Sequence, residues 1–509
     1  MSTAEQPTDQ LDAIGDPADK HTPQSFGARL AELARADPHR PAVILVQQVG
    51  EDVVVTRDAL ARRTNQVARL FASLGVGEGD TIVIGLWNSV AHVVATVAAW
   101  KLGALVLPLR AILPPPERNS ILDLSQPRLV IADWDDCAYP RIPPTALAEA
   151  DMLDDGPLDA DPPHPGKAIA SGGSTGRSKI IVDRTANPVL YGQRSSRLGS
   201  RTGQTQLMCA PLYHNSPFLA CYGGLADEHI MVVMERFDAA KALDAIERYR
   251  INYAYMPPII MRRLIMHAGQ QERDLSSIEA IQSSAAPCPD WLKRAWIERI
   301  GAERVYEVYG SAEGIGATII RGDEWLTHPG SVGKPLTCDL LILDAERHPL
   351  PNGEIGEIFM RPHQEGGPTF TYIGAANLPD NGQQFLSIGD LGWVDDDGYL
   401  YIADRRTDMI VSGGANVYPA EVEAALHDHP AIADLAVIGL PDEEWGRRVH
   451  AVIQPLDHAA PPSEEVLRMW ARARIADYKV PRSWEFVLEL PRNEAGKIRR
   501  SALVNDRSG

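Results

Sequence analysis

The sequence predicts an α/β protein of layered, largely parallel sheets that continues into a smaller α+β region at its C-terminal end. Its 509 residues are too many for one ordinary hydrophobic core, so two or more domains are expected. Segments with the periodicity of strands and of amphipathic helices alternate between residues 26 and 132, as in layered α/β folds. A loop rich in glycine and hydroxyl groups at 170–178 leads into β-branched residues, which indicates that the chain returns into a strand there.

The N-terminal third supplies most of the alternation. Helical spacing of apolar residues predicts helices over 26–36 and 58–74, with paired strands over 42–46 and 52–55 between them. A strand, a buried helix and a second strand follow over 81–86, 91–102 and 104–107, and another strand over 129–132. The apolar stretch 81–113 is interrupted by Asn88, His92 and Lys101, which favours a buried core over a membrane span.

The alternation of strands and helices continues to about residue 267 and is followed by short strands without helices between them. Strands are predicted over 206–210 and 253–258, with helices over 239–249 and 259–267. Short strands joined by turns at 330–335, 340–343 and 356–360 indicate a small β subdomain. Near the C-terminus we expect a helix over 419–427, strands over 431–439 and 449–454, and a helix inside 461–476 capped by Ser463.

Composition narrows the classes of partner and compartment. The formal net charge of −19 argues against nucleic acid or an anionic membrane as the main partner. Five scattered cysteines without CxxC spacing indicate reduced thiols rather than disulfides or a zinc site. Residues 1–20 are polar and acidic without a signal-peptide core, so we expect a disordered tail on a soluble, cytoplasmic protein without a membrane span. A homodimer is left open.

The loop from Ser171 to Lys179 is the strongest candidate for a ligand site. Its glycines allow close backbone approach, and its hydroxyls, backbone N–H groups and two cations suit a polyphosphate. The spacing does not fit the Walker A motif. Residues 172–176 do fit the GxSxG nucleophile elbow, which would make Ser174 the nucleophile of a serine hydrolase, but that elbow needs a helix where the sequence predicts a strand. A glycine-rich surface hairpin is the remaining alternative.

This loop, together with motifs spread over residues 26–503, resembles the adenylate-forming superfamily of acyl-CoA synthetases, adenylation domains and luciferases. The form Ser-Gly-Gly-Ser-Thr-Gly is similar to acyl-CoA ligases of the bile-acid CoA ligase type. The resemblance implies an AMP-forming ligase that makes an acyl adenylate from a carboxylic acid, with ATP and Mg²⁺, and transfers the acyl group to coenzyme A.

The resemblance also implies a nucleotide site. Its phosphate loop comprises Ser171, Gly172, Gly173, Ser174, Thr175, Gly176 and Lys179. The adenine side would comprise Ala285, Ala286, Pro287, Tyr309 and Gly310. Ser311 and Ala312 would face phosphate, where the family has a threonine at the second position; Ala312 cannot donate a hydrogen bond, so Ser311 or a neighbouring N–H must compensate. Asp390 and Arg405 would bind the ribose.

Other matched positions are implied to act in chemistry. Glu313 would hold the magnesium ion, and Lys497 in the terminal loop would be the catalytic lysine. His214 would stand between nucleotide and acid. The acid pocket would be lined by Tyr213, Asn215, Ser216, Ser284, Gly314, Ile315 and Gly316. No acidic residue occurs between Pro211 and Tyr222, which disfavours an α-amino acid.

The same resemblance divides the chain into an N-terminal adenylation domain, residues 21–405, and a mobile C-terminal domain, residues 406–509. Thr407 would be the hinge, and Gly413 and Gly414 would border the channel for coenzyme A. Four departures from the family pattern, at Ser178, Ser216, Ala312 and Thr407, keep other acceptors open. Adenylation could instead load a carrier protein, or activate nitrite, a small oxyanion, for diazotisation of an arylamine. A binding-only pseudoenzyme is a further alternative.

Overall fold

A computed structural model describes residues 25–158, 166–172, 178–183, 198–268, 273–363, 370–381, 383–412, 415–492, 498 and 500–507. Its α-helices are α1 (Phe26–Ala36), α2 (Arg57–Ser73), α3 (Val90–Lys101), α4 (Pro115–Ser125), α5 (Asn215–Ala226), α6 (Ala239–Arg248), α7 (Pro258–Ala268), α8 (Asp290–Ile300), α9 (Gly322–Thr327), α10 (Pro419–His427), α11 (Glu464–Arg472) and α12 (Arg500–Asn505).

The strands fall into four sheets. Those before residue 260 are β1 (Pro41–Val46), β2 (Val53–Thr56), β3 (Thr81–Gly85), β4 (Leu105–Pro108), β5 (Leu129–Ala132), β6 (Arg141–Ile142), β7 (Lys167–Gly172), β8 (Ser178–Asp183), β9 (Thr205–Met208), β10 (Ile230–Met234) and β11 (Tyr253–Tyr255). Those after it are β12 (Ala280–Ser283), β13 (Val305–Gly310), β14 (Ala317–Arg321), β15 (Ser331–Pro335), β16 (Cys338–Leu343), β17 (Gly356–Pro362), β18 (Phe370–Ile373), β19 (Asp390–Val394), β20 (Leu400–Arg405), β21 (Ile410–Ser412), β22 (Ala415–Val417), β23 (Ile432–Asp442), β24 (Gly446–Pro455) and β25 (Ser483–Phe486).

The largest sheet is half parallel and half antiparallel. Within the described residues it has thirteen strands in the order β16-β17-β19-β20-β15-β14-β13-β12-β11-β9-β10-β1-β2. Strands β13, β12, β11, β9, β10 and β1 are parallel to one another, so their carboxyl ends meet at one edge. The antiparallel strands expected as a small β subdomain continue this sheet through the β14–β15 pair.

A second sheet, in the order β18-β8-β7-β4-β3-β5-β6, faces the first across buried helices. Helix α3 is buried along nearly its whole length, with Trp100 packed 5.8 Å from Phe218 of α5 between ring centroids. The helix in the apolar stretch 81–113 lacks a polar face because it lies between the two sheets. Strands β7 and β8 are antiparallel, so the phosphate-loop segment leads from strand to strand, and the helix required for a nucleophile elbow is absent from residues 178–183.

The C-terminal sheet, in the order β23-β24-β25, is covered by two helices. Val422 and Leu426 of α10 and Leu467 of α11 pack against its apolar face. The Ser463 hydroxyl accepts from the Val466 backbone N–H at the start of α11, as the sequence predicted.

The layered α/β class and the small C-terminal α+β unit are confirmed. Most predicted elements occur within one or two residues of their expected bounds, and α10 coincides with its prediction. Among the elements that were not predicted are α4, whose first residues are prolines, α5, α8, β10 and the short 3₁₀ helix at Pro144–Met152. No helix in the described part of the chain is long and apolar enough to cross a membrane.

Candidate functional site

A cavity of about 3570 Å³ opens at the edge where the parallel strands end. Its floor is formed by the segments that follow β9, β11, β12 and β13, because these strands run in the same direction. The second sheet contributes Ser171 and Lys179, and the C-terminal part of the chain contributes Tyr418 and Arg500. The cavity therefore lies where all three layers meet.

One end of the cavity carries a compact charged group. The Lys179 Nζ donates to Glu313 Oε1 at 3.2 Å, and the Tyr372 hydroxyl donates to the same oxygen at 2.6 Å. Lys179 also lies over the Tyr372 ring, 4.1 Å from its centroid. Burial opposes ionisation of Glu313, but the Tyr372 hydrogen bond and the Lys179 charge outweigh it and keep the pKa of this carboxyl below its ordinary value.

Two serine hydroxyls lie at this end. The Oγ atoms of Ser171 and Ser311 are buried, line the cavity and have no hydrogen-bond partner among the described residues. Buried hydroxyls are normally paired, so an unpaired one beside a cavity indicates a ligand that completes the bond. Ala312 also lines the cavity, and the adjacent Ser311 supplies the hydroxyl that position 312 lacks.

The opposite end is built around Asp390. Its Oδ2 accepts from the Tyr309 hydroxyl at 2.7 Å, and its Oδ1 lies 3.2 Å from the Arg405 Nε. Burial and the neighbouring Asp390 charge raise the pKa of Tyr309 well above its ordinary value, so the phenol stays neutral. Tyr309 thus presents an aromatic face and holds a carboxylate in place, the arrangement expected for adenine and ribose.

The segment after β12 shapes the same end. Ala285, Ala286 and Pro287 line the cavity, as does Gly310 at the end of β13. Ala285 has φ +77°, a left-handed conformation that costs a residue with a side chain about 1–2 kcal/mol. Strain of this kind persists where the surrounding structure holds it, and it is common in binding sites.

A third arm of the cavity begins at the N-terminus of α5. His214 is the N-cap residue of this helix and its ring lies 4.4 Å from the Tyr213 ring between centroids. Both residues line the cavity, as do Asn215, Ser216 and Ser284. The Ser284 Oγ lies 2.9 Å from the hydroxyl of Tyr255, which is fully buried.

Three residues expected in the acid pocket are placed elsewhere. Ile315 is 2% exposed and packs in the core of the antiparallel strands, and a side chain at Gly316 would meet Cys338 Sγ at 2.5 Å. Gly314 has φ +66° in the turn before β14. Ala317, the next residue, does line the cavity.

Several expected site residues lie outside the described residues: Gly173, Ser174, Thr175, Gly176, Gly413, Gly414 and Lys497. Gly172 ends β7, beside the cavity residue Ser171. Thr407 is exposed in a turn after β20 and lines the cavity.

Arg492 and Arg500, on either side of residues 493–497, form ion pairs with other elements of the C-terminal part. Arg492 binds Asp434 of β23 through two contacts of 2.6 and 2.7 Å. Arg500 binds Glu423 of α10 at 2.8 Å and Asp408 at 3.0 Å. The Arg500 pairs tie α12 to the turn at 406–408, so the chain after residue 497 is linked to the segment next to Thr407.

Sequence reasoning missed Tyr372 and Tyr255. Tyr372 reaches Glu313 because β18 pairs with β8, with Tyr372 opposite Ile181, a long-range pairing that no local pattern records. Tyr255 carried a usable signal: it alternates with Tyr253 on a strand that ends at the proposed site.

Comparison with known proteins agrees with this geometry. Residues 30–365 match the family model for AMP-binding enzymes, and residues 421–497 match the model for the AMP-binding enzyme C-terminal domain. The 2-succinylbenzoate–CoA ligase of Bacillus licheniformis is 30% identical over 499 residues, covering 93% of this chain and 98% of the relative. The feruloyl-CoA synthase of an Amycolatopsis species is 30% identical over 491 residues, covering 93% and 97%.

Solved structures give the same result. The o-succinylbenzoate CoA synthetase of Bacillus subtilis in complex with its acyl-adenylate intermediate superposes with a TM-score of 0.82 at 27% identity, covering 96% of this chain and 100% of that one. The same enzyme with ATP and magnesium gives a TM-score of 0.80 at 27% identity, covering 93% and 98%.

Proposed function

This chain belongs to the AMP-binding enzyme family and is an AMP-forming ligase, and we propose that it joins a small-molecule carboxylic acid to coenzyme A through an acyl adenylate. The observation that carries the proposal is the division of one cavity into an anion-binding end at Lys179 and Glu313, a nucleoside end at Tyr309 and Asp390, and an arm along α5, whose residues 215–224 carry no charge. An acyl adenylate has three parts of these chemical types.

The first step is attack of a carboxylate oxygen on the α-phosphorus of ATP, with pyrophosphate as the leaving group. Ser171, Ser311 and Lys179 would donate to phosphate oxygens, and Asp390 would accept from the ribose hydroxyls. In the second step the thiol of coenzyme A loses its proton and attacks the acyl carbon, and AMP leaves with the oxygen that came from the acid.

The residues present fit a magnesium ion bound together with the nucleotide. No group of three or more His, Cys, Asp or Glu side chains in the described ranges could hold a metal by itself. Magnesium usually combines one or two protein carboxylates with substrate phosphates, and the depressed pKa of Glu313 keeps one carboxylate ionised for this purpose. When bound, the ion would neutralise phosphate charge.

The remaining roles rest on the family resemblance. Lys497 would bridge the attacking oxygen and the α-phosphate, and His214 would separate nucleotide from acid. Residues 21–405 would form the adenylating domain and residues 406–509 a domain that turns about Thr407 between the two half-reactions. Gly413 and Gly414 would then border the pantetheine path.

The experiment is a pyrophosphate-release panel with MgATP, carboxylic acids, amino acids and nitrite, with and without coenzyme A, followed by mass spectrometry. Thioester formed only with coenzyme A and a carboxylic acid supports the proposal. AMP formation with nitrite and an aminoarene, in the absence of turnover with any carboxylate, would contradict it. Release of pyrophosphate with a carboxylate but no thioester would point to another acceptor, such as a carrier protein.

A further inference from the structure

The arm of the cavity along α5 has walls that are polar but uncharged. On the sheet side, Tyr255 of β11 and Ser284 after β12 are joined by the 2.9 Å contact between their hydroxyls. Ser216 of α5 faces them, and its hydroxyl is also hydrogen-bonded to the Tyr255 hydroxyl. All three residues line the cavity, and we refer to them as the hydroxyl cluster.

A second pair lies deeper on the same face of the sheet. Tyr255 is directly opposite Gln282 in the β11–β12 register, and Tyr253 precedes it by two residues, so all three side chains share one face. The Tyr253 hydroxyl donates to Gln282 Oε1 at 2.5 Å, and both residues line the cavity. The polar wall therefore extends away from the strand ends.

This arm is separate from the nucleotide. Strand β12 lies between β11 and β13, so Tyr255 stands about 10 Å across the sheet from the strand that carries Tyr309 and precedes Glu313. The arm meets the other two ends near His214, where the acid and the α-phosphate have to meet. It is the part of the cavity left for the body of the acid.

The walls of this arm offer no positive charge. No Asp, Glu, Lys or Arg occurs between Asn215 and Gly224, or in β11 or β12, and the next charged residue along α5 that lines the cavity is its C-cap, Asp227. Burial raises the pKa of Tyr255 to about 12, against the hydrogen bonds from Ser284 and Ser216, so its phenol stays neutral at ordinary pH. A second anionic group on the substrate would have no counter-ion on these walls, which is costly in a buried site.

Hydrocarbon is also disfavoured. The two contacts within the hydroxyl cluster use two of its three O–H groups, so one O–H is left without an acceptor in the cluster, and a saturated chain packed against it offers none. Buried hydroxyls that lose water without gaining a partner are penalised, and sites built around such groups discriminate strongly against analogues that lack the matching polar atom. We infer that the acid taken by this site carries a neutral hydrogen-bonding substituent, a hydroxyl or carbonyl group, that binds the hydroxyl cluster through Ser216 or Ser284, while the buried Tyr255 orients the two serines.

The inference rests on the proposed function and is tested by matched pairs of acids that differ only at one substituent. These are para-hydroxybenzoate with para-methylbenzoate, para-hydroxycinnamate with para-methylcinnamate, and straight-chain acids ending in hydroxyl or methyl. The readout is kcat/KM for pyrophosphate release with MgATP. We expect the hydroxylated member of the best pair to be preferred at least about tenfold.

Variants of the hydroxyl cluster test whether it causes the preference for the hydroxylated acid. Tyr255→Phe, and separately Ser216→Ala with Ser284→Ala, should reduce the preference about tenfold, measured as the ratio of kcat/KM for the two acids of the pair. Ser283→Ala is the matched control, because Ser283 is on the same strand, buried, and not part of the cavity lining. It should leave the preference unchanged.

The outcomes distinguish failure of the substrate inference from failure of the proposed ligase function. Equal kcat/KM values for the two acids of every pair would overturn the inference but not the ligase function. A preference for the hydroxylated acid that persists in both cluster variants would do the same. A preference for a saturated chain or for a dicarboxylic acid overturns it in the same way. Absence of pyrophosphate release with every acid overturns the inference together with the proposed function.

Discussion

At the scale of single residues, the site depends on Glu313 being both buried and ionised. Its carboxyl is 9% exposed, an environment that favours the neutral acid. The Tyr372 hydroxyl and the Lys179 ammonium reverse this preference through contacts with one oxygen. Neither contact is local in the sequence, so the anionic state of Glu313 is a product of the tertiary fold.

Tyr372→Phe should therefore change the pH dependence of activity. Loss of the hydroxyl removes a contribution that lowers the pKa of Glu313, while burial, which raises it, remains. The carboxyl would protonate at higher pH, and the acid limb of the kcat/KM profile for MgATP should move upward. Thr371→Ala, an exposed change on the same strand, is the control and should keep the wild-type profile. An unshifted limb in Tyr372→Phe would mean that this hydrogen bond does not tune the site.

Ser311 and Ala312 make a second prediction at this scale. Ser311→Ala should lower turnover by about 10- to 100-fold, the loss of one hydrogen bond to a charged group, and Ala312→Thr alone should leave activity intact or improved. The double variant Ser311→Ala with Ala312→Thr should regain most of the loss, as measured by pyrophosphate release. If Ala312→Thr instead blocks turnover, the space beside Ala312 is needed by a substrate.

At the scale of elements, β14 pairs antiparallel with β13, the last strand of the parallel half, and the β14–β15 pair continues the large sheet into its other antiparallel strands. The two strands approach closely at Gly333, which has φ +95°, and a Cβ there would lie 1.8 Å from the Ile319 carbonyl oxygen. The join therefore requires glycine at this point, both for its conformation and for its lack of a side chain.

Gly333→Ala should lower the thermal midpoint strongly, by about 10 °C or more, because backbone has to move as well as adopt a strained angle. Gly330→Ala is the matched control: its φ is +84°, but its nearest neighbour would be Tyr401 at 3.9 Å. It bears only the conformational cost of about 1–2 kcal/mol and should shift the midpoint by a few degrees. Equal shifts in the two variants would show that close packing at Gly333 is unimportant.

Elements with a local cause were predictable from the sequence, and those set by tertiary contacts were not. Helix α10 begins at Pro419, where proline is favoured in the first turn, and its bounds were obtained directly. Helix α4 also begins with proline, but no helix was predicted at Pro115–Ser125. The motifs placed Asp390 and Tyr309 in one site, whereas the hydroxyl pair of Tyr255 and Ser284 depends on strand order.

At the scale of the whole molecule, we propose that the two half-reactions use two arrangements of the C-terminal part. The anchors of Arg492 to Asp434 and of Arg500 to Glu423 and Asp408 link the segment that contains Lys497 to β23, α10 and the turn at 406–408. Movement about Thr407 would therefore carry these elements and the lysine together.

Lys497→Ala should abolish adenylate formation, by about 10²–10³ in rate, while largely sparing thioester formation from chemically supplied acyl adenylate. The lysine is proposed to act only when the carboxylate attacks phosphorus. Both half-reactions are measured by rapid quench with the same acid. Equal loss in the two would contradict the assignment of Lys497 to one arrangement.

Isotope labelling of the acid's oxygen atoms tests whether an acyl adenylate is the intermediate. The enzyme is incubated with MgATP, coenzyme A and a carboxylic acid substrate whose carboxylate is labelled with heavy oxygen, and the products are separated and analysed by mass spectrometry. Attack of the acid on the α-phosphorus followed by thiol transfer predicts AMP that carries one labelled oxygen, together with unlabelled pyrophosphate. Unlabelled AMP, or label in pyrophosphate or inorganic phosphate, would contradict an acyl adenylate on the path to the thioester.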